Sequence, residues 1–323
     1  MSAAAFIILS SDEADHLDAA LDAVAGQGFD SGLVVDNASR DATAEVASRH
    51  GVACLTLPAR VPYTKAMNRG LSRLLDGPAR PELVALLQAD TFLRPGYLAA
   101  GRLGFEGRAD VGSVAPKLLR TEGPDPEQRL EMIDAAGMTF DRRRKNALVG
   151  HGCPSRAYGL PAEIFGADGA AALWRSEALW DCAVEGAILD ENMPGWGCDA
   201  DLAWRAQLLG WHCVYAPAAV VDHIRTYSPT TRARARPVDR RTQFRNRLLM
   251  MAKNDTWADL RRDLGAILLY ELLALGYALV REPELLGGYV EALRRLPEAR
   301  RQRRIIQTRR RERRVPFGLV APD

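Results

Sequence analysis

Three aspartates stand where an apolar run of the sequence ends or a helix begins. They are Asp36 in "GLVVDNASRDAT", Asp90 in "ELVALLQADTFL" and Asp199 in "WGCDADLAWRAQLLG". Carboxylates at such places hold the hydroxyl or N–H donors of a polar ligand, ligate a hard divalent cation, or take a proton as a general base. Two of them at one edge of a sheet repel each other and lose hydration unless a cation or hydrogen-bond donors sit among them. The pattern therefore favours a metal or a polar ligand. His223 closes a further apolar run, "WHCVYAPAAVVDH". Its imidazole serves either as an additional ligand or as an ordinary hydrogen-bonded group at a sheet edge.

The elements that position these residues follow from hydrophobic pattern. "AAFIIL", "GLVVD" (32–36), "VACLTL" (52–57) and "ELVALLQAD" (82–90) are short, nearly continuous apolar runs, as expected of strands buried on both faces of a parallel sheet. Between them, Leu17, Leu21 and Val24 keep helical spacing before Gly26 and Gly28, and Met67, Leu71 and Leu74 before Gly77 and Pro78. Strand and helix in alternation imply right-handed crossovers and a doubly wound α/β sheet. Ligands of such sheets bind at the carboxyl ends of the strands, where Ser10, Asp36 and Asp90 fall. Asp41 falls where an N-cap would open the helix of "DATAEVASRH". Past Pro116 the regularity weakens through a region rich in Gly, Pro and charge, read as a loop-like insertion. "DLAWRAQLLG" predicts a helix with Leu202, Ala206 and Leu209 on one face and Gly210 as its stop. Asp199 and Asp201, two apart, cannot share a face of it, and the expectation is that Asp201 belongs to its first turn or cap.

Several function classes are excluded. There is neither a GxGxxG fingerprint nor a GxxxxGK[ST] loop, which argues against a dehydrogenase or P-loop enzyme. The first strand leads into "SSDEADH" rather than a basic, glycine-rich turn, which argues against a nucleotidyltransferase. Five scattered cysteines without a CxxC pair suggest neither a disulfide framework nor a zinc site, and point to a reducing cytosol. The N-terminus shows no export signal.

Four blocks, "VVDNASRDAT", "LLQADTFLRPGYL", "GAAALWRSEAL" and "WGCDADLAWRAQLLGWHCVYAPAAVVDH", occur in an order and spacing that resemble the inverting family 2 glycosyltransferases of GT-A fold, in particular their bacterial rhamnosyltransferase-like branch. The resemblance implies a GT-A, Rossmann-like, mostly parallel sheet flanked by helices over residues 1–228, with a helical extension over 229–323. It implies donor contacts from Ser10, Asp36, Asn68, Gln88, Asp90 and Gly169, with Asp36 on the nucleobase. It makes Asp90 and His223 ligands of Mg²⁺ or Mn²⁺, Asp199 the catalytic base, and Asp190, Glu191 and Trp196 acceptor contacts. Gln88 and Cys198 depart from the family's usual residues at their motif positions. The function implied is transfer of one sugar from a nucleoside-diphosphate donor, a dTDP-rhamnose or UDP-sugar, to a glycan or lipid-linked acceptor of the cell envelope. The rival is a catalytically decayed GT-A fold acting as a membrane-associated scaffold.

The carboxyl-terminal third has another character. The net charge of +2 conceals eleven arginines and two glutamates within Arg294–Arg314. "LGAILLYELLALGYALV" (264–280) is apolar apart from Glu271, and 17 residues of helix reach about 25 Å, short of a bilayer's core. The expectation is a helix at an anionic membrane surface on the cytoplasmic side, or one packed on the catalytic domain or on a homodimer mate. No nucleic-acid module or aromatic platform accompanies the arginines, so nucleic acid is not expected as a partner.

Overall fold

The computed structural model describes residues 3–77, 80–226 and 235–319. Four parallel strands open the chain: β1 (Ala4–Ser10), β2 (Ser31–Asp36), β3 (Ala53–Thr56) and β4 (Leu83–Gln88). Helices α1 (Ala14–Val24), α2 (Thr43–Arg49) and α3 (Tyr63–Leu75) connect them. β5 (Thr91–Leu93), α4 (Tyr97–Leu103), β6 (Val111–Thr121), β7 (Arg129–Ala135), β8 (Met138–Phe140), β9 (Asn146–Leu148) and β10 (Ala162–Ile164) follow. Then come β11 (Ala171–Arg175), α5 (Ser176–Asp181), α6 (Cys198–Leu208) and β12 (His212–His223), and finally α7 (Pro237–Asn254), α8 (Trp257–Val280) and α9 (Leu286–Arg309).

The main sheet runs β10-β12-β6-β11-β4-β1-β2-β3. β3, β2, β1 and β4 are parallel, β11 is antiparallel to both β4 and β6, and β12 is parallel to β6. All of them except β11 and the edge strand β10 therefore point the same way. β1 is buried along its whole length because its alternate side chains feed two cores. Ile7 and Leu9 pack with Val35, Met67 and Leu71 on the α3 side, while Phe6 and Ile8 pack with Leu17, Leu21 and Val46 on the other. Gly70 is what lets α3 lie on the strands: a Cβ there would come within 2.4 Å of Val35 and 2.6 Å of Ile7.

The region past Pro116 is more regular than its composition suggests. β6 continues to Thr121 and returns antiparallel as β7, and β8 with β9 makes a separate ribbon. Only the second half of β7 is buried, so its first residues read as loop. α6 also departs from expectation: nearly every side chain is buried, since α7 covers the side that would otherwise face water. The boundary expected at 228/229 lies outside the described residues. Beyond it α7 and α9 pack along each other, and α8 begins seven residues before the apolar run, at Trp257, where Thr256 Oγ1 accepts from the Asp259 N–H at 3.0 Å.

Candidate active site at the carboxyl edge of the sheet

Because β1, β2, β4 and β12 run in one direction, Ser10, Asp36, Gln88 and His223 end at the same edge. β11 runs the other way, so its entry, Asp168–Ala170, reaches that edge too. The sheet register fixes this: Ser10 pairs with Asp36, and the Gln88 N–H donates to the Ala170 carbonyl at 3.0 Å. Asp36 and Asp90 are two strands apart, about 10 Å at ordinary strand spacing.

The N-terminal half of this edge is braced by its own side chains. Asp36 is buried and accepts from the Ser39 N–H at 2.8 Å. Asn37 holds both backbone groups of Val61. Asp41 starts two helices at once, accepting from the Ala14 N–H at 2.8 Å and from the Thr43 N–H at 3.1 Å. Desolvation raises its pKa, yet the hydrogen bonds from Thr43 and Ala14 outweigh it and hold the carboxyl below its usual range. Ser10, expected at the donor, is fully buried with its hydroxyl 3.1 Å from that of Thr43.

Asp90 follows β4, in the turn to β5. One of its oxygens, Oδ1, is buried without a hydrogen-bond partner, and burial pushes its pKa up against the pull of His223. His223 Nε2 lies 3.7 Å from that oxygen. The other ring nitrogen, Nδ1, is 2.8 Å from Oδ2 of Asp134 in β7. Asp134 is fully buried; desolvation works against its charge, but the hydrogen bond from His223 and the charge of Arg225 keep its carboxyl below the usual range. An ionised carboxylate only accepts, so His223 donates from Nδ1 and, when neutral, presents a lone pair at Nε2 toward Asp90. A buried orphan oxygen beside an oriented imidazole is a fitting pair of ligands for a divalent cation. Among the described residues no group of three or more His, Cys, Asp or Glu side chains gathers into a metal site. The remaining ligands of a cation would have to be supplied by the substrate or water.

Asp199 occupies the first turn of α6, behind Gly197, whose positive φ of 81° makes the sharp entry. Its Oδ2 accepts from the Gly169 N–H at 3.2 Å and its Oδ1 from the Ala200 N–H at 2.8 Å. Burial, then the neighbouring charge of Asp168, pushes its pKa above the usual carboxylate range. A Cβ on Gly169 would stand 3.1 Å from the Asp199 Cβ, so the glycine provides the close approach. Cys198 is buried and its thiol is pushed well up by that burial, so a neutral group stands beside the aspartate.

Arg225 joins the two halves of the site. Its Nε donates to Asp134 at 2.7 Å and its second terminal nitrogen to Asp168 at 2.9 Å. Asp168 also accepts from the Ala170 N–H. Asp90, His223, Asp134, Arg225, Asp168 and Asp199 thus gather along the sheet edge, with hydrogen bonds linking His223, Asp134, Arg225 and Asp168. Tyr63, at the start of α3, has its phenol pushed well above its usual pKa by burial, reinforced by the carboxylates of Asp199, Asp168 and Asp90, and stays neutral there. Asp134, Asp168, Arg225 and Tyr63 are not singled out by sequence reasoning. Asp168 before the glycine of β11 and Arg225 just beyond His223 carried a signal of position; Asp134, inside the irregular-looking region, carried none.

Other expected residues are engaged by protein partners. Asn68 exchanges two 2.8 Å hydrogen bonds with the backbone of Leu189 and donates to Glu191, so it clasps the 189–191 loop to α3. Asp190 has both oxygens engaged, by Lys253 at 2.5 Å and by Gln302 and the Asn192 N–H. Desolvation opposes its charge, but Lys253 overrides it and draws its pKa far down. Asp201 sits in the first turn of α6, bonded to Arg205 at 3.0 Å and to Lys253 at 2.8 Å. Trp196 is half-buried; its carbonyl accepts from Asn246 and its side chain hydrogen-bonds Asp239 of α7.

Residues 5–155 match the family model described as glycosyl transferase family 2. The chain is similar in fold to TarS 1–349 of S. aureus in complex with UDP-GlcNAc (TM-score 0.58, 13% identity, 95% of this chain and 90% of that one). It is also similar to the mannosyltransferase PcManGT of Pyrobaculum calidifontis in complex with GDP-Man and Mn²⁺ (0.51, 17%, 95% and 86%). A third likeness is to GalNAc-T7 with UDP, GalNAc and Mn²⁺ (0.58, 10%, 78% and 48%), of whose length the chain spans about half. No curated protein matches the chain.

Proposed function

We propose, from the match of residues 5–155 to the model described as glycosyl transferase family 2 and from the site's geometry, that the chain is a metal-dependent, inverting transferase. It moves one sugar from a nucleoside-diphosphate donor to a hydroxyl of a cell-surface glycan or lipid-linked acceptor. The observation that carries this reading is the placement of Asp36, Asp90 and Asp199 at one sheet edge, with Asp199 oriented by two backbone N–H groups.

Asp36 binds the nucleobase from the tip of β2. Asp90 and His223 would hold Mg²⁺ or Mn²⁺, which when bound neutralises charge on the departing nucleoside diphosphate. Asp199 accepts the proton of the acceptor hydroxyl as its oxygen attacks the anomeric carbon from the face opposite the diphosphate. A base with a raised pKa is the better matched to that task near neutral pH. Gly169 and Ala200 keep its oxygens from swinging away. Gln88 and Gly169 line the donor side, and Glu191 and Trp196 lie toward the acceptor. Five free thiols suit a cytoplasmic site of action.

The test is a panel of UDP-, dTDP- and GDP-sugars with and without Mn²⁺, measuring donor binding and nucleoside-diphosphate release. A metal-dependent preference for one donor, abolished in turnover but retained in binding by Asp199→Asn, supports the reading. Near-normal turnover in that variant removes Asp199 as the base. Absence of donor binding across the panel favours the scaffold reading, which the neutral Cys198 would then explain.

A further inference from the structure

We infer that the outer face of α8 is a membrane-binding surface, on which the protein rests with this helix lying in the headgroup plane of an anionic leaflet. The inference goes beyond the transferase reading and stands without it.

α8 is 24 residues long, yet most of its apolar side chains are exposed among the described residues. Leu268, Leu269, Leu272, Leu273, Leu279 and Val280 are 58–78% exposed, and their spacing puts them along one side of the helix. A patch of this size on a folded protein marks an interaction surface. Its single interior charge, Glu271, turns inward to Arg247 of α7 and to Tyr289 of α9, so the outward side is uncharged from Leu264 to Val280.

Length alone, about 36 Å, would let such a helix cross a bilayer. Its attachments forbid that, because both ends and the middle are tied to one body. Near the start, Asp263 accepts from Arg142 at 2.7 Å and Arg144 at 2.8 Å, and Asp259 from the Val315 N–H at 3.0 Å. Beyond the end, Arg240 of α7 holds Glu282 at 3.2 Å and Glu284 at 2.8 Å. α9 then runs back along α7. A helix fastened lengthwise offers a side to the membrane and keeps both ends on the same side of it.

The ends of the stripe choose between lipid and a second copy of the chain. Arg261 and Arg281 are exposed at its two ends, and Trp257 and Tyr277, 66% and 47% exposed, stand near them. Basic and aromatic side chains flanking an apolar face fit an anionic headgroup layer. Self-association through this stripe about a two-fold axis would set arginine against arginine whichever way the helices run, without an exposed acid on the stripe to compensate.

The test is co-sedimentation of the full-length chain with phosphatidylcholine vesicles and with vesicles that include phosphatidylglycerol, without donor or acceptor, so that its outcome is separate from transferase activity. The expected result is binding that needs the anionic lipid, weakens with salt, and falls roughly tenfold or more in Leu268→Glu/Leu272→Glu. Glutamate keeps helix propensity close to that of leucine, so the variant should retain its circular dichroism. Failure of the wild type to bind anionic vesicles, or unchanged binding by the folded variant, overturns the inference. So does a concentration-dependent dimer, abolished by the same substitutions, in a chain that ignores vesicles.

Discussion

His223 and Asp134 are joined by a buried 2.8 Å hydrogen bond from Nδ1 to Oδ2, and Asp134 is in turn held by Arg225 at 2.7 Å. The carboxylate fixes which ring nitrogen carries the proton and so aims Nε2 at Asp90. An outer partner of this kind typically contributes ten- to a hundredfold in metal affinity. Asp134→Asn is therefore expected to weaken Mn²⁺ binding by roughly that factor, measured by electron paramagnetic resonance or calorimetry. In the metal-free protein, the ¹⁵N shifts of the His223 ring should show a mixed tautomer where the native chain has one. Unchanged Mn²⁺ affinity with an unchanged tautomer would show that the hydrogen bond only supports the fold.

Asp168 bears on the other end of the site. Its charge is among the causes that raise the Asp199 pKa, after burial itself. Removing that negative charge leaves Asp199 easier to ionise, and it leaves Arg225 with one carboxylate fewer, which acts in the same direction. The acidic limb of the kcat/KM profile reports the ionisation of the free enzyme's base. In Asp168→Asn that limb should move to lower pH, even if the maximum rate falls. A limb that stays in place, or moves up, would mean that another group sets it.

How much of this was legible in the sequence depends on whether a residue's neighbours are local or distant. Asp36 and Asp90 could be placed because an apolar run of strand length ends at each of them, and parallel strands share an edge. His223 followed by the same logic. Asp134 could not, because β6 has the adjacent β7 as one partner and the distant β12 as another, and only that arrangement brings Asp134 to His223, 89 residues away. The contacts that engage Asp190 and Asn68 were not legible for the same reason. Each is polar and near the motifs, but the partners that occupy them, Lys253 and the Leu189 backbone, lie 63 and 121 residues away.

Gly169 tests how exactly Asp199 must be set. A methyl group at this position would meet the Asp199 Cβ at 3.1 Å, closer than packed carbons ordinarily sit. The helix that bears Asp199 is buried nearly all round, so it cannot retreat freely and the side chain has to yield. The side chain has to give by a few tenths of an ångström, less than the ~1 Å misplacement that can cost about a hundredfold in rate. Gly169→Ala should therefore lose roughly three- to tenfold in kcat while folding normally, with donor affinity changed much less. Loss of donor binding with kcat preserved would instead mean that the glycine serves the donor and does not set Asp199.

Asn68 separates a loop clasp from a nucleotide contact. Its side-chain amide closes a two-way hydrogen bond with Leu189, 2.8 Å in each direction, in a buried setting. Truncation leaves one buried N–H and one buried carbonyl without these partners, at about 1–3 kcal/mol each if no water replaces them. Asn68→Ala should accordingly lower the chemical-denaturation midpoint and raise the proteolytic susceptibility of the 189–191 loop, and Glu191 should lose the neighbour that holds it at 3.1 Å. Donor dissociation constants, measured without acceptor, should stay close to those of the native chain because both N–H donors of the amide are already taken by Leu189 and Glu191. A large rise in the donor dissociation constant with stability unchanged would return Asn68 to the donor site and require the loop to be released when donor binds.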